Sequence, residues 1–221
     1  MTSSRATDNW VAAVYAALFI SLSMTFVSDL FVTTEFKAFW SNFLIRALLV
    51  VLALSYAPFR TTIWESLHIR NRRNEPKSVF ALHIILYIVC GLLVSIYVIE
   101  FINSPMVELF PPTPEFSSSD MSVLYIMGEI TLGITIVAIE EELFHRVIIG
   151  KLIRNYTSSL FFLYIVSAFI FGISHWPGGL SSISVTFLMG LMLMFLYHRT
   201  GSILPSIIVH YLHNFLATFF I

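Results

Sequence analysis

Long apolar runs, interrupted by short polar or basic stretches, set the pattern of this chain. A segment needs roughly 20 mostly apolar residues to cross the hydrocarbon core of a bilayer. Seven stretches meet or approach that length: Trp10–Val32, Ala38–Phe59, Val79–Ile102, Ser122–Ile149, Ser159–His175, Ile183–Tyr197 and Ile203–Ile221. The first is long, follows no basic run and shows no small-residue cleavage site, so it reads as a retained span and not a signal peptide. With no internal repeat and no low-complexity segment, the expected fold is all-α: a polytopic transmembrane helical bundle of about seven membrane segments, forming one membrane domain over residues 1–221.

Composition sharpens this picture. Hydrophobic residues make up 57% of the chain and charged residues 11%, with a mean hydropathy of +0.86. These values lie outside the soluble globular range, so lipid is the principal solvent and membrane lipid a partner. The net charge of -1 and the scatter of the twelve Lys and Arg leave no continuous basic surface, which sets nucleic-acid binding aside. Cys90 stands alone in an apolar stretch, so neither an internal disulfide nor a CxxC site is available.

The basic residues also orient the chain. Arg60, Arg70, Arg72, Arg73 and Lys77 gather after the second span, whereas the Pro-rich loop after the third carries Glu108, Glu115 and Asp120. Short basic loops resist translocation, so the first loop is expected inside and the second outside. Lys151, Arg154 and Arg199 then fall on the inner side as well. The amino terminus is inside, the carboxyl terminus outside, and the compact loops suit a prokaryotic plasma membrane.

Against this background the charged and imidazole groups within spans stand out, because each costs several kcal/mol unless it faces a cavity or a partner. The fourth segment carries Glu140-Glu141-Glu142-Leu143-Phe144-His145-Arg146. Glu142 and Arg146, at i and i+4, share a helix face and can pair. Glu141 points elsewhere, has no obligatory partner in its own helix, and is the candidate general base. His175 ends the fifth segment before the turn signal Trp176-Pro177-Gly178-Gly179. His210 and Asn214, four apart in the seventh, lie on one face and can jointly donate hydrogen bonds to one oxygen, with His213 about one residue off that face. A base, a second histidine to orient a water, and two oxyanion donors form a complete hydrolytic set. Glu129 and Glu140, eleven apart, share a face and could line a cavity; of the remaining charges Asp29, Arg46, Glu100 and Glu129, most read as packing or snorkelling.

These residues resemble the three motifs of the CAAX protease and bacteriocin-processing (Abi) family, which includes the Ras-converting endopeptidases. EExxxR stands as Glu141–Arg146, FxxxH as Phe171–His175 and HxxxN as His210–Asn214. The resemblance covers roughly Ser122 to Ile221 as the catalytic core; residues 10–120 match only as generic, variable spans. It implies an intramembrane endopeptidase in which Glu141 and His175 activate the attacking water, His210 and Asn214 stabilise the oxyanion, and Glu142 and Arg146 support them. The implied substrate is a membrane-associated or lipidated peptide. No HExxH is present and no cofactor is required in a glutamate-type site, the reading preferred here. Yet Glu141, His175 and His210 together are also a possible zinc set. Two positions depart from the family pattern: His145 and Val147 stand where Phe and Gly are frequent, and His145 is placed to hydrogen-bond the base.

Rival readings are a di-iron site, since Glu142–His145 and Glu65–His68 both spell Glu-x-x-His, a serine protease using Ser174, a proton-relaying transporter, and a non-catalytic scaffold or bacteriocin-immunity protein. Depth poses a further question. At 1.5 Å per residue, Glu141, His175 and His210 lie roughly 20, 26 and 14 Å from the inner helix ends, so tilt or a helix break must bring them level.

Overall fold

The computed structural model describes residues 35–69, 75–99, 101, 105, 108–109 and 123–220. The expected first span, most of the acidic loop, and Asp29, Arg70, Arg72, Arg73 and Glu100 lie outside the described residues, as does the side chain of Glu129. Every regular element among the described residues is helical. Helix α1 covers Glu35–Ser55, α2 Ala57–Leu67 and α3 Lys77–Leu93, the last continued by a π-helical stretch, Val94–Ile99. A continuous helical run follows: α4 Val123–Gly128, a π stretch Glu129–Gly133, α5 Ile134–Glu142, a second π stretch Leu143–Ile148, and α6 Ile149–Tyr156. Then come α7 Leu160–Ser174, a single 3₁₀ turn Trp176–Gly178, α8 Gly179–Thr200 and α9 Leu204–Phe220.

Two of these helices are by themselves long and apolar enough to cross a membrane, Lys77–Tyr97 and Gly179–Thr200, and the bent pair Phe43–Ser55 with Ala57–Leu67 raises the number to three. The expected seven spans are therefore not reproduced among the described residues. Helix α7 has 15 residues and α9 has 17, both short of a full crossing, and the run through α5 is interrupted by its charges. Outward faces are nonetheless apolar: Leu82, Ile85, Leu86 and Val89 on α3 and Phe161 and Phe162 on α7 are exposed. Surface of that kind is stable against lipid tails, and together with the helices it marks an integral membrane protein.

The second segment ends earlier than its hydropathy indicates. The chain turns by 101° between α1 and α2, because Tyr56 is extended and Pro58 follows in the first turn of α2. A residue before or near proline is disfavoured in helical geometry, while proline itself suits a helix start. The part of the expected basic loop from Arg60 to Leu67 is thus helical, on a helix whose face Phe59–Ile63–Ser66 is buried. Both ends of α2 are tied to the bundle. Lys151 Nζ donates to the Pro58 carbonyl (3.2 Å) and Thr62 Oγ1 (3.0 Å). At the other end Ile203 N–H donates to the Ser66 carbonyl (2.8 Å) and the Ser202 hydroxyl to the Leu67 carbonyl (3.2 Å). The anchor at Lys151 also explains why the fourth segment stays helical beyond Ile149.

Two apolar clusters form the core. One joins Leu49 and Ala53 of α1, Phe59 and Ile63 of α2 and Phe144, Val147 and Ile148 of the second π stretch. The other joins Phe171 of α7, Met189, Leu193 and Leu196 of α8 and Val209 of α9. Helices α7 and α8 approach most closely, through small residues, as expected where helices associate in lipid without a hydrophobic driving force. A Cβ on Gly172 would lie 2.9 Å from the Ile183 carbonyl oxygen, and one on Gly190 3.0 Å from Ala168 Cα. Gly172→Ala is therefore expected to cost about 1–3 kcal/mol, read as a lower Tm in detergent. An unchanged Tm would show that the two helices slide apart freely. Gly201, at φ 68°, closes α8 in the left-handed conformation and lets α9 start three residues later.

Candidate active site

The acidic triplet sits at the end of α5, and the π stretch that follows is buried throughout, from Leu143 to Ile148. The helix therefore continues through the core past its charges, and each charge needs a partner there. Glu142 and Arg146 take each other, as their spacing predicts. Arg146 Nε donates to Glu142 Oε2 at 3.0 Å and its Nη2 to Oε1 at 3.2 Å, with neither side chain exposed. Arg146 also reaches Ser167 Oγ on α7 (3.4 Å), whose hydroxyl donates to the His145 carbonyl (2.9 Å), and its guanidinium lies 4.9 Å from the centre of the Phe171 ring. A two-pronged arginine–carboxylate pair of this kind is rigid as well as strong.

Glu141 points away from that pair. Its Oε2 lies 3.8 Å from His175 Nε2 and 3.7 Å from His210 Nε2. Three helices thus bring a carboxylate and two imidazoles to one place, and the depths counted along straight helices do not hold. Helix α7 stops at Ser174, and Gly179 at φ 83° restarts the chain as α8. His175 stands at this break with its side chain 30% exposed, whereas His210 and Glu141 are nearly closed off, at 4% and 6%.

The hydrogen bonds on the far nitrogens decide what the near ones can do. His175 Nδ1 is 2.9 Å from the Phe171 carbonyl, which only accepts, so Nδ1 carries the proton. In neutral His175, Nε2 therefore offers a lone pair toward Glu141. His210 Nδ1 is 3.1 Å from Glu142 Oε1, an oxygen already held by Arg146, and Nδ1 donates there too. His210 can donate through Nε2 only as imidazolium, with the two carboxylates as counter-charges. Phe171 serves as a common wall, its ring edge-to-face with His145, His175 and His210.

Asn214 follows His210 by one turn of α9 and is half-buried; among the described residues no side-chain hydrogen bond joins it to this cluster, and its carbonyl accepts from Thr218. His213 lies off the cluster, and its buried Nδ1 has no hydrogen-bond partner among the described residues. His145 lies edge-on to Phe144 and Phe171 and is fully buried. Ser174 donates its hydroxyl to the Phe171 carbonyl (2.7 Å), the role of a helix-end hydroxyl and not of an aimed nucleophile. The second Glu-x-x-His, Glu65–His68, sits at the end of α2 against the turn before α9, with His68 Nδ1 on the Trp64 carbonyl (2.7 Å).

The residue that composition and spacing missed is Arg46. It reads as a packing or snorkelling charge, but its Nη1 reaches from α1 to Glu140 Oε2 (2.7 Å) and Glu141 Oε1 (2.9 Å). Glu141 therefore has an ion-pair partner, supplied by another helix. The available signal was an arginine eight residues into the apolar segment Ala38–Phe59, where an unpartnered charge is costly. Glu141, His175 and His210 are the residues that would hold a zinc ion. One oxygen of Glu141 is held by Arg46, and among the described residues no group of three His, Cys, Asp or Glu side chains is arranged to hold a metal ion. A cavity of about 540 Å³ touches the other side of Arg146, between α6, α7 and α8, but Glu141, His175 and His210 do not line it.

Residues 124–216 match the family described as type II CAAX prenyl endopeptidase, Rce1-like. No curated protein and no solved structure matches the chain. The matched stretch contains all three motifs, and the description of that family is of an endopeptidase. The motif-bearing part of this chain, residues 124–216, is thus similar to the Rce1-like type II CAAX prenyl endopeptidases.

Proposed function

We propose that this protein hydrolyses a peptide bond in a membrane-associated or lipidated peptide, using a water activated by Glu141 and His175, with His210 and Asn214 as oxyanion donors. The observation that carries this reading is the convergence of Glu141 Oε2 with two imidazole Nε2 atoms at 3.7 and 3.8 Å. A water between them gives one hydrogen to Glu141 Oε2 and the other to the lone pair of His175 Nε2, which turns its own lone pair toward the scissile carbonyl carbon. As the C–O bond forms, Glu141 takes the proton, and the carbonyl oxygen becomes an oxyanion. His210, as imidazolium, donates to it through Nε2, and Asn214 on the same helix face is the second donor. The C–N bond then breaks, and the proton held by Glu141 passes to the leaving amine, giving a carboxylic acid and a free amine.

Glu142 and Arg146 support this chemistry without touching substrate, since Glu142 holds His210 Nδ1 and so aims Nε2. No metal takes part in the scheme. The test is cleavage of a fluorogenic membrane-anchored peptide library by purified protein in detergent. His210→Ala and Asn214→Ala are compared with the parent at equal folded yield, with and without chelator. His210→Ala is expected to lower the rate about 10²–10³-fold, the scale of losing one oxyanion donor, and chelator to leave the parent unchanged. Loss of activity on chelation, restored by zinc, would overturn the metal-free scheme. Cleavage by no variant and no parent across prenylated and unprenylated libraries would favour a scaffold or immunity role.

A further inference from the structure

We infer that Arg46, with Glu140, is a positioning pair for the catalytic carboxylate, which makes the first described helix part of the active centre although the family match begins at residue 124. The inference rests on Glu141 being the base, as proposed above. One nitrogen, Arg46 Nη1, meets Glu140 Oε2 at 2.7 Å and Glu141 Oε1 at 2.9 Å. Both carboxylate side chains are nearly inaccessible, at 3% and 6% exposure, while the Arg46 side chain is 21% exposed.

The geometry has a consequence for the carboxylate's orientation. A carboxylate can rotate about its last bond and present either oxygen. Holding Oε1 on Arg46 leaves Oε2 facing His175 and His210, and Oε2 makes no hydrogen bond with any described residue that would draw it elsewhere. Glu140 in turn holds Arg46: its other oxygen, Oε1, is buried and makes no hydrogen bond with any described residue, so its hydrogen bond to Arg46 is the anchor seen for this carboxylate. Glu140 precedes the two motif glutamates and turns toward α1, opposite in role to Glu142. The three consecutive carboxylates thus divide the work: Glu140 fixes the cation, Glu141 is aimed by it, and Glu142 pairs with Arg146. A charge-assisted bond from a planar donor to a buried carboxylate is the kind of contact that holds a reacting group within the narrow range catalysis requires.

Because both contacts come from one nitrogen, a lysine ammonium can replace the bridge, while a glutamine cannot supply its charge. The test measures kcat and KM separately on a membrane-anchored peptide for Arg46→Gln, Arg46→Lys and Glu141→Gln, each after size-exclusion chromatography and a melting curve. Arg46→Gln is expected to lower kcat about 10–100-fold with KM within about twofold, the scale of a misaligned reacting group, and Arg46→Lys to recover most of the loss. If Arg46→Gln does not yield folded protein, Arg46→Gln/Glu140→Gln replaces it. That pair removes one cation and one carboxylate and so keeps the formal charge of the cluster, and the same loss of kcat is expected. Parent-like kcat in the glutamine variant, or equal loss in the glutamine and lysine variants, would overturn the positioning role while Glu141→Gln stays inactive. An active Glu141→Gln would instead remove the base assignment on which the inference stands.

Discussion

Glu141→Gln is expected to abolish cleavage, lowering kcat by about 10²–10⁴-fold, the range associated with loss of a general base. The substitution is close to isosteric. Its amide oxygen still accepts from Arg46 Nη1, and the site keeps its shape, so KM and folded yield should change little. The amide cannot take a proton from water, and its NH₂ turned toward the His175 Nε2 lone pair would take the place of the water's own hydrogen there. The measurement is single-turnover cleavage of the membrane-anchored peptide. A residual rate above about a tenth of the parent would show that another group takes the proton, and His175, whose Nε2 faces the same point, would be the next candidate.

The second large effect is on stability. Arg146→Met is expected to destabilise the protein by about 3–5 kcal/mol, the cost of leaving a buried charge without its partner. Glu142 has no exposure through which to find water, and Ser167 and the Phe171 ring lose their cation as well. Thermal unfolding in detergent should show the loss directly. The companion variant Arg146→Met/Glu142→Leu removes the orphaned carboxylate and should recover most of the stability, since an apolar replacement of a buried pair is often neutral. Its cleavage rate should remain low, because His210 Nδ1 then has no carboxylate to hold it. A double variant that is both stable and fully active would show that Glu142 has no part in aiming His210. One as unstable as the single variant would show that Arg146 contributes through packing and not through its charge.

Arg46 and Arg146 illustrate why one arginine was legible from the chain and the other was not. Arg146 stands four residues from Glu142, and helical periodicity alone places them on one face. Arg46 is 94 and 95 residues from its two carboxylates. No local spacing connects them; only the packing of α1 against α5 does. The same distinction explains the helix boundaries. Hydropathy cannot see that Pro58 turns the chain, or that Lys151 finds acceptors on α2 and carries the fourth helix on to Tyr156.

Composition and pattern alone determined that this is a helical membrane protein, because no arrangement of 57% hydrophobic and 11% charged residues in long apolar runs is stable in water. They also singled out Glu141, Glu142, Arg146, His175, His210 and Asn214, because polar groups in apolar segments cost too much to be there without cause. Tertiary structure decided the rest: that Glu141 and the two histidines meet, that Glu141 is held by Arg46, which nitrogens of His175 and His210 face it, and where the helices among the described residues begin and end. Each of these depends on which helices pack together and where they break, and those are properties of contacts between segments distant in the chain, which periodicity within one segment does not encode.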